Sequence, residues 1–326
     1  MNRSVLRAHY EKRGFTSQQA DEAVSAVAAL EDWLREQSLL LESAPIPSIR
    51  AYIRLLIQQG RNTLDTLLAL ARYFYLTGRS DVYVYFTSLL GGVGVIESIR
   101  EKLGALESPQ TAQELIDSLP RPQLGADPAE YPAFTRALME QLEQHLPLET
   151  VRCALAGNHH QIPASAFEEE KALYEASTSM DDFLHAQHEK QVAVLQRHCD
   201  TNTVWYEQII TQDVVDFVAA NQEIQSAVRS GDTLYTTKIP YDPARYLAET
   251  DETKRRYYAC HCPFVREAIL RGEQDISGNW CYCSGGFVKH PYEVILGRPL
   301  RVELLQSALL GDPICRFAIH LDSAET

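Results

Sequence analysis

The spacing of apolar residues through the first hundred positions constrains the fold more than any other feature of the chain. Apolar side chains recur at three- and four-residue steps over 18–37, 49–60, 63–78 and 81–103. This period places them on one face of an α-helix. The last run contains Gly91-Gly92-Val93-Gly94, which predicts tight packing or a kink rather than a phosphate loop, because no Lys-Ser/Thr pair follows it. The sequence therefore predicts an all-helical N-terminal domain.

The pattern changes after residue 150. Residues 181–199 and 211–228 keep the helical spacing, whereas 233–239 alternates like a strand and stops at Pro240. Recurrent prolines before residue 150 indicate a connector of short helices. The sequence thus predicts an α+β chain, with a helical domain over 1–105, a connector over 106–150 and a cysteine-rich α/β domain of ligand-binding type over 151–326.

Charge and composition narrow the classes of partner. The formal net charge is -14 and the isoelectric point is about 5.2, so a polyanionic nucleic acid or membrane surface would be repelled on average. No run approaches the roughly 20 apolar residues of a membrane span, and residues 1–10 lack the apolar core of a signal peptide. We therefore expect a cytoplasmic protein, in which seven cysteines more often bind metal or do redox chemistry than form disulfides.

Five of the seven cysteines fall between residues 260 and 315. Cys260-His261-Cys262-Pro263 and Cys281-Tyr282-Cys283-Ser284 each carry two cysteines separated by one residue. On a strand, two such side chains point to the same face, at a separation that suits two thiolates on one metal ion better than a disulfide. Together with Cys315, these pairs predict a metal site, with zinc as the expected ion and an iron–sulfur cluster as the alternative.

Two other interpretations of the cysteines stay open. They could pack as small hydrophobic side chains in a sheet. Alternatively, one of them could be a nucleophile or redox centre whose thiol pKa is lowered by His261, Lys238, Arg266 or a helix N-terminus.

Other side chains are candidates for a ligand pocket. They are Lys238, Tyr258, Arg266, Trp280, Phe287, His185 and His188. Aromatic rings would form its walls and the two cations would bind a carboxylate. The two histidines stand three residues apart on a predicted helix, a spacing compatible with a metal pair or a polar pocket wall. The plainer alternatives are core aromatic rings, solvated cations and hydrogen-bonded or surface histidines.

The order of these motifs also resembles a known type of domain. The two cysteine motifs, Leu300-Arg301-Val302-Glu303 and Gly311-Asp312-Pro313-Ile314-Cys315-Arg316-Phe317 look like the C-terminal part of 4-vinyl reductase-type domains. They are also similar to the related L-2-amino-thiazoline-4-carboxylic acid hydrolase-like proteins. The resemblance covers residues 235–321 and implies an antiparallel sheet, a pocket for a small organic molecule and, in some members, zinc held by cysteines and a glutamate. Here the matching ligands would be Cys260 or Cys262, Glu303 and Cys315.

One position departs from that pattern. Where 4-vinyl reductase-type domains have a further cysteine, four residues before the glycine of the last loop, this chain has Ser307. Cys281 or Cys283 would then complete the site. The Cys-His-Cys-Pro and Cys-Tyr-Cys-Ser-x-Gly signatures are also similar to those of an uncharacterised bacterial family. Residues 52–63 resemble the helical core-binding domain of phage-type integrases, which indicates a helical architecture, since no integrase catalytic domain follows.

Together these features favour a small-molecule-binding protein with a cysteine-ligated metal in its C-terminal domain, while the helical domain transmits a signal or forms a homodimer. The alternative is a metal- or cysteine-dependent hydrolase that acts on a small organic substrate. A zinc ion with four protein ligands would favour binding, whereas three ligands and an open position would favour catalysis. No nucleophile or acid/base pair stands at a diagnostic spacing, which favours the binding module.

Overall fold

A computed structural model describes residues 2–322 of the chain. Within this part α-helices dominate, and four short strands near the C-terminus form one antiparallel sheet. The predicted α+β class with a helical N-terminal region is therefore confirmed. The chain divides into two compact units, the first comprising Met1–Gly91 and Pro122–Glu130 and the second comprising Gly92–Arg121 and Tyr131–Thr326.

The helices of the first unit follow the predicted runs closely. They are α1 (Arg3–Lys12), α2 (Ser17–Glu36), α3 (Ile46–Gln58), α4 (Leu64–Leu76) and α5 (Ser80–Leu90). Thr16 closes a capping box with Gln19 at the start of α2, and the Thr63 side chain accepts a hydrogen bond from the Thr66 backbone at the start of α4. Their apolar faces meet in one buried core that includes Leu30 and Phe74. Helix α1 precedes the runs that the periodicity predicted.

The segment Pro122–Glu130 belongs to the first unit through specific polar contacts. The Asn62 side chain donates a hydrogen bond to the Leu124 carbonyl at 2.9 Å, and Arg54 pairs with Asp127 at 3.0 Å. The helices around this segment pack in the core of the second unit, where Leu115 and Phe134 are buried. The two units therefore differ in extent from the predicted ranges 1–105, 106–150 and 151–326.

The second unit is built mainly from helices. They are α6 (Val95–Leu106), α7 (Pro109–Asp117), α8 (Tyr131–His145), α9 (Leu148–Leu155), α10 (Glu168–Ala176), α11 (Met180–Thr201), α12 (Gln212–Ala219), α13 (Pro243–Ala248), α14 (Glu252–Ala259), α15 (Arg266–Arg271) and α16 (Tyr282–Leu296).

The sheet of the second unit contains β1 (Val228–Ser230), β2 (Thr233–Thr237), β3 (Arg301–Gln306) and β4 (Arg316–His320) in the order β1-β2-β4-β3. All three pairings are antiparallel, with Leu234 opposite Ile319 and Val302 opposite Ile319. These residues are buried together with Phe317 beneath α16. The sheet thus carries one apolar face, which α16 covers.

Three local predictions need correction. The cysteine pairs do not lie on strands: Cys260 follows α14, Cys262 lies in a loop, and Cys283 is in the first turn of α16. The Gly285-Gly286 pair, which follows the second cysteine pair, lies within α16 and not at the end of a strand. The helix predicted over 211–228 ends at Ala219, and its last residue begins β1.

The apolar stretch Ser80–Leu106 is the one candidate membrane span found among the described residues, by length and hydropathy alone. The chain turns at Gly91–Gly94 within this stretch, so α5 and α6 are separate helices. The predicted break at the glycine cluster is therefore confirmed.

Candidate functional site

Five cysteines of the second unit line a single small cavity. The lining residues are Lys238, Cys260, His261, Cys262, Trp280, Cys281, Cys283, Ser284, Ser307 and Cys315. We call the five thiol-bearing residues the cavity cysteines. The cavity has a volume of about 20 Å³, which is room for one water molecule or one ion.

Separate segments of the chain bring the cavity cysteines together. Cys260 caps the C-terminus of α14, and Cys262 follows two residues later in the loop before α15. Cys281 ends the 3₁₀ turn Gly278–Cys281, and Cys283 follows in α16. Cys315 directly precedes β4, where its carbonyl accepts a hydrogen bond from the Lys238 backbone at 3.0 Å. The cavity therefore depends on the tertiary fold and not on one local motif.

Close helix packing fixes the position of α16 and hence of Cys283. A Cβ atom added to Gly286 would lie 2.2 Å from the carbonyl oxygen of Gly157 and 2.6 Å from the carbonyl carbon of Ala156. Only glycine permits this approach between α16 and the backbone after α9. On the neighbouring position Gly285, the added atom would meet the side chain of Val302 at 3.1 Å. The two glycines thus allow α16 to pack closely against both the backbone of residues 156–157 and the sheet.

Burial keeps the cavity thiols protonated. Desolvation raises the pKa of Cys283 to about 12 and raises the pKa of Cys260, Cys262, Cys281 and Cys315 as well. Cys260 and Cys283 are buried, while the other three are half-buried. A thiol with a raised pKa is a poor nucleophile at neutral pH. The arrangement therefore does not favour the cysteine nucleophile that the sequence left open.

Two of the cavity sulfurs, those of Cys262 and Cys281, take part in hydrogen bonds with neighbouring side chains. Trp280 Nε1 donates to Cys262 Sγ at 3.1 Å, and Cys281 Sγ lies 3.1 Å from Ser307 Oγ. Donors aimed at sulfur stabilise a thiolate when one forms. Within residues 2–322, no three His, Cys, Asp or Glu side chains are already arranged around a common point as metal ligands. Binding a metal would therefore require χ1 rotation of some thiols toward the cavity centre.

His261 stands between the first cysteine pair. Burial lowers its pKa well below the usual range, so the ring is neutral. Its Nε2–H donates to the Ile239 carbonyl at 2.6 Å, and Nδ1 lies 4.0 Å from Glu207 Oε1. The carbonyl bond therefore fixes the tautomer with the lone pair on Nδ1. Burial also raises the pKa of the Glu207 carboxyl.

Two predicted pocket residues lie at the cavity and two lie near it. Lys238 and Trp280 are part of the lining, and the Phe287 ring lies 4.8 Å from Lys238 Nζ. Arg266 is buried, with its guanidinium 4.2 Å from the centre of the Tyr241 ring.

The remaining predicted residues lie outside the lining. Tyr258 contacts Arg245 at 5.9 Å from the ring centre. His185 is exposed and lies 3.4 Å from Glu189, whereas His188 is buried and donates to the Val218 carbonyl at 2.9 Å. The two histidines therefore have separate partners. These contacts fit the alternative interpretation, in which one is a surface histidine and the other a hydrogen-bonded one.

Glu303, the glutamate that the family resemblance implied as a ligand, has an exposed side chain 3.4 Å from His320. It is not part of the cavity lining.

The sequence did not predict Ser284 as part of the site, nor the contact of His160 with Phe287 near it. Ser284 lines the cavity one residue after Cys283, and the His160 ring lies 5.4 Å from that of Phe287. The adjacent Cys-Tyr-Cys-Ser run was the available signal for Ser284. No local signal points to His160, because it reaches Phe287 only through the fold.

Comparison with known proteins adds one match. Residues 235–325 match a family model described as "Family of unknown function (DUF6144)". This range contains every residue of the cavity lining. No curated protein and no solved structure matches the chain.

Proposed function

We propose that the second unit binds one thiophilic metal ion in the cavity, with zinc as the expected ion. The observation that carries this proposal is the convergence of five thiols from separate segments on a space of ionic size. Cysteine thiolates are preferred ligands of zinc and of other soft ions. A multi-atom iron–sulfur cluster needs more room than one water-sized sphere, which favours a single ion.

The raised thiol pKa values agree with a metal role better than with a catalytic one. Without metal the thiols are neutral, so burying them together costs no charge repulsion. A bound metal ion deprotonates its thiol ligands outright. The site would therefore be inert when empty and strongly bonded when loaded.

The location of the cysteines favours a structural ion. One ion held there would connect the end of α14, the loop before α15, the start of α16 and the start of β4. Five thiols exceed the four ligands of a closed tetrahedral zinc site, so no position need stay open for substrate. Binding of a small organic molecule stays a prediction, because the cavity is far smaller than the roughly 300–1,000 Å³ of typical ligand pockets.

Metal analysis with matched cysteine variants tests the proposal. The protein is purified without chelator, and its metal content and reactive thiols are measured. We expect about one zinc ion per chain, bound more weakly in Cys260→Ser, Cys281→Ser and Cys315→Ser and lost when Cys260→Ser and Cys281→Ser are combined. Cys153→Ser and Cys199→Ser are the controls, because these two cysteines lie outside the cavity.

Stability provides a second readout. Because metal binding contributes directly to folding, removing the ion with a chelator should lower the melting temperature of the wild type and leave that of the double variant Cys260→Ser/Cys281→Ser unchanged. If wild-type protein stays metal-free after incubation with zinc, with unchanged melting temperature, the proposal is wrong.

A further inference from the structure

Two cations beside the cavity, Lys238 and Arg266, have no carboxylate partner within residues 2–322. Among the described residues, no Asp or Glu lies within ion-pair distance of Lys238 or Arg266. Lys238 Nζ instead lies 4.8 Å from the centre of the Phe287 ring. The Arg266 guanidinium lies 4.2 Å from the Tyr241 ring and 5.1 Å from the Tyr257 ring, and its Nε has no hydrogen-bond partner.

Two other cations of the second unit, Arg316 and Lys289, each have a carboxylate partner. Arg316 makes two hydrogen bonds of 2.7 Å to Glu223, and Lys289, which is buried like Arg266, pairs with Glu293. Arg266 is only 6% exposed, and an uncompensated buried charge is strongly unfavourable. The missing negative charge near Lys238 and Arg266 therefore needs an explanation.

Glu207 is the carboxyl that acts on both cations, at longer range than an ion pair. It does not balance them, because one carboxylate carries one charge and burial raises the pKa of this one. Tyr241 and Tyr257 offer ring faces, which attract a cation without neutralising it. The remaining source of negative charge is the cavity, since Lys238 lines it and the Arg266 backbone N–H donates a hydrogen bond to the carbonyl of the cavity residue Cys262 at 3.0 Å.

We propose that the cavity holds a divalent ion bound by four thiolates, as a complex with two negative charges that Lys238 and Arg266 neutralise. This inference rests on the proposed metal site and specifies its ligand class and charge. Four thiolates around a divalent ion leave two negative charges, which equal the two positive charges of the unpaired cations. A neutral complex, with two thiolates, His261 and water, would leave both cations uncompensated.

In this arrangement Lys238 and Arg266 are positioning residues that act through the thiolates. Groups outside the ligand shell typically change metal affinity by about 10–100-fold when replaced. We expect Lys238→Met and Arg266→Met each to weaken zinc binding by that factor in a competition assay with a chromophoric chelator. Lys238→Arg should bind like the wild type, because it keeps the charge.

Arg245→Met is the matched control, because Arg245 also lies against a tyrosine ring but has a 71% exposed side chain. Its zinc affinity should equal that of the wild type. Lys238→Met covers the case in which Arg266→Met fails to fold, since Lys238 is only half-buried.

Cobalt substitution counts the thiolates directly. The intensity of the thiolate-to-cobalt charge-transfer band should correspond to four sulfur ligands in the wild type and in the Lys238 variants. A band intensity that corresponds to two or three thiolates would refute the four-thiolate complex, and so would wild-type zinc affinity in both Met variants. Neither result would contradict the proposed metal site itself. If wild-type protein binds neither zinc nor cobalt, the proposed function fails and this inference fails with it.

Discussion

Replacing Gly286 by alanine tests whether the close contact between α16 and the backbone of Ala156 and Gly157 stabilises the second unit. The new Cβ would stand 2.2 Å from the Gly157 oxygen, and real Cβ contacts are essentially never below 3.0 Å. The helix must therefore retreat by roughly 0.8 Å or the backbone after α9 must move. Its three nearest atoms all belong to the backbone of Ala156 and Gly157, so no flexible side chain can give way.

The magnitude follows from two opposing effects. Overpacking a tight contact costs about 1–3 kcal/mol, and a backbone obstacle places this site at the upper end. Alanine gains about 1 kcal/mol over glycine in helix propensity. We therefore expect Gly286→Ala to lower the free energy of unfolding by about 2 kcal/mol, which corresponds to a fall in melting temperature of roughly 4–8 °C for a unit of this size.

Gly285→Ala is the control on the same helix. It gains the same helix propensity, and its Cβ would meet Val302 at 3.1 Å, a side chain that can adjust. Its free energy of unfolding should stay within about 0.5 kcal/mol of the wild-type value. Urea unfolding followed by tryptophan fluorescence, to which Trp280 contributes from the core of the second unit, measures both variants. Equal stability of the two variants would refute the backbone-contact argument.

Two further predictions concern pH. Burial lowers the pKa of His159 to about 4, so on acidification the unfolded chain binds the proton before the folded protein does. The free energy of unfolding should therefore fall by up to about 3 kcal/mol between pH 6.5 and pH 4. In His159→Gln, the free energy of unfolding measured with urea should depend less on pH over this range, and an unchanged pH dependence would contradict the prediction. The Arg316 guanidinium lowers the pKa of Glu223, so this pair stabilises the fold above the unfolded-state pKa and loses that effect as pH falls through the folded-state pKa. Glu223→Gln should cost about 1–2 kcal/mol at pH 7 and progressively less below pH ~4, whereas a constant difference would exclude the ion pair as the cause.

Periodicity predicted the first unit well because each of its helices carries its own apolar face. The runs at 18–37, 49–60 and 63–78 correspond to α2, α3 and α4. The strand at 233–239 was also recognisable, since its alternation reflects one buried and one partly exposed face. The sequence did not show that Pro122–Glu130 belongs to the first unit. This segment joins that unit through single contacts, such as the hydrogen bond of Asn62 with Leu124, which leave no pattern in the sequence.

The cysteine segments show where propensity misled the prediction. Tyr257-Tyr258 and Trp280-Cys281-Tyr282 carry aromatic residues that are typical of strands. In the structure Asp251 precedes α14 and its side chain accepts a hydrogen bond from the Lys254 backbone, while Ser277 caps the 3₁₀ turn that ends at Cys281. These capping residues were the available signal for helices. Tertiary packing overrode the aromatic strand propensity.

Convergence of the thiols did not depend on the predicted strand geometry. Residues two apart point to one face of a strand but to nearly opposite sides of an α-helix. Cys281 and Cys283 nevertheless share the cavity, since the chain changes from a 3₁₀ turn to α-helix between them. Ser307, marked in the sequence only as a departure from a resembled pattern, lies in the same lining within 3.1 Å of Cys281. A donor set gathered from the ends of several elements would let the proposed ion connect those elements, because each element end gains one bond when the ion binds.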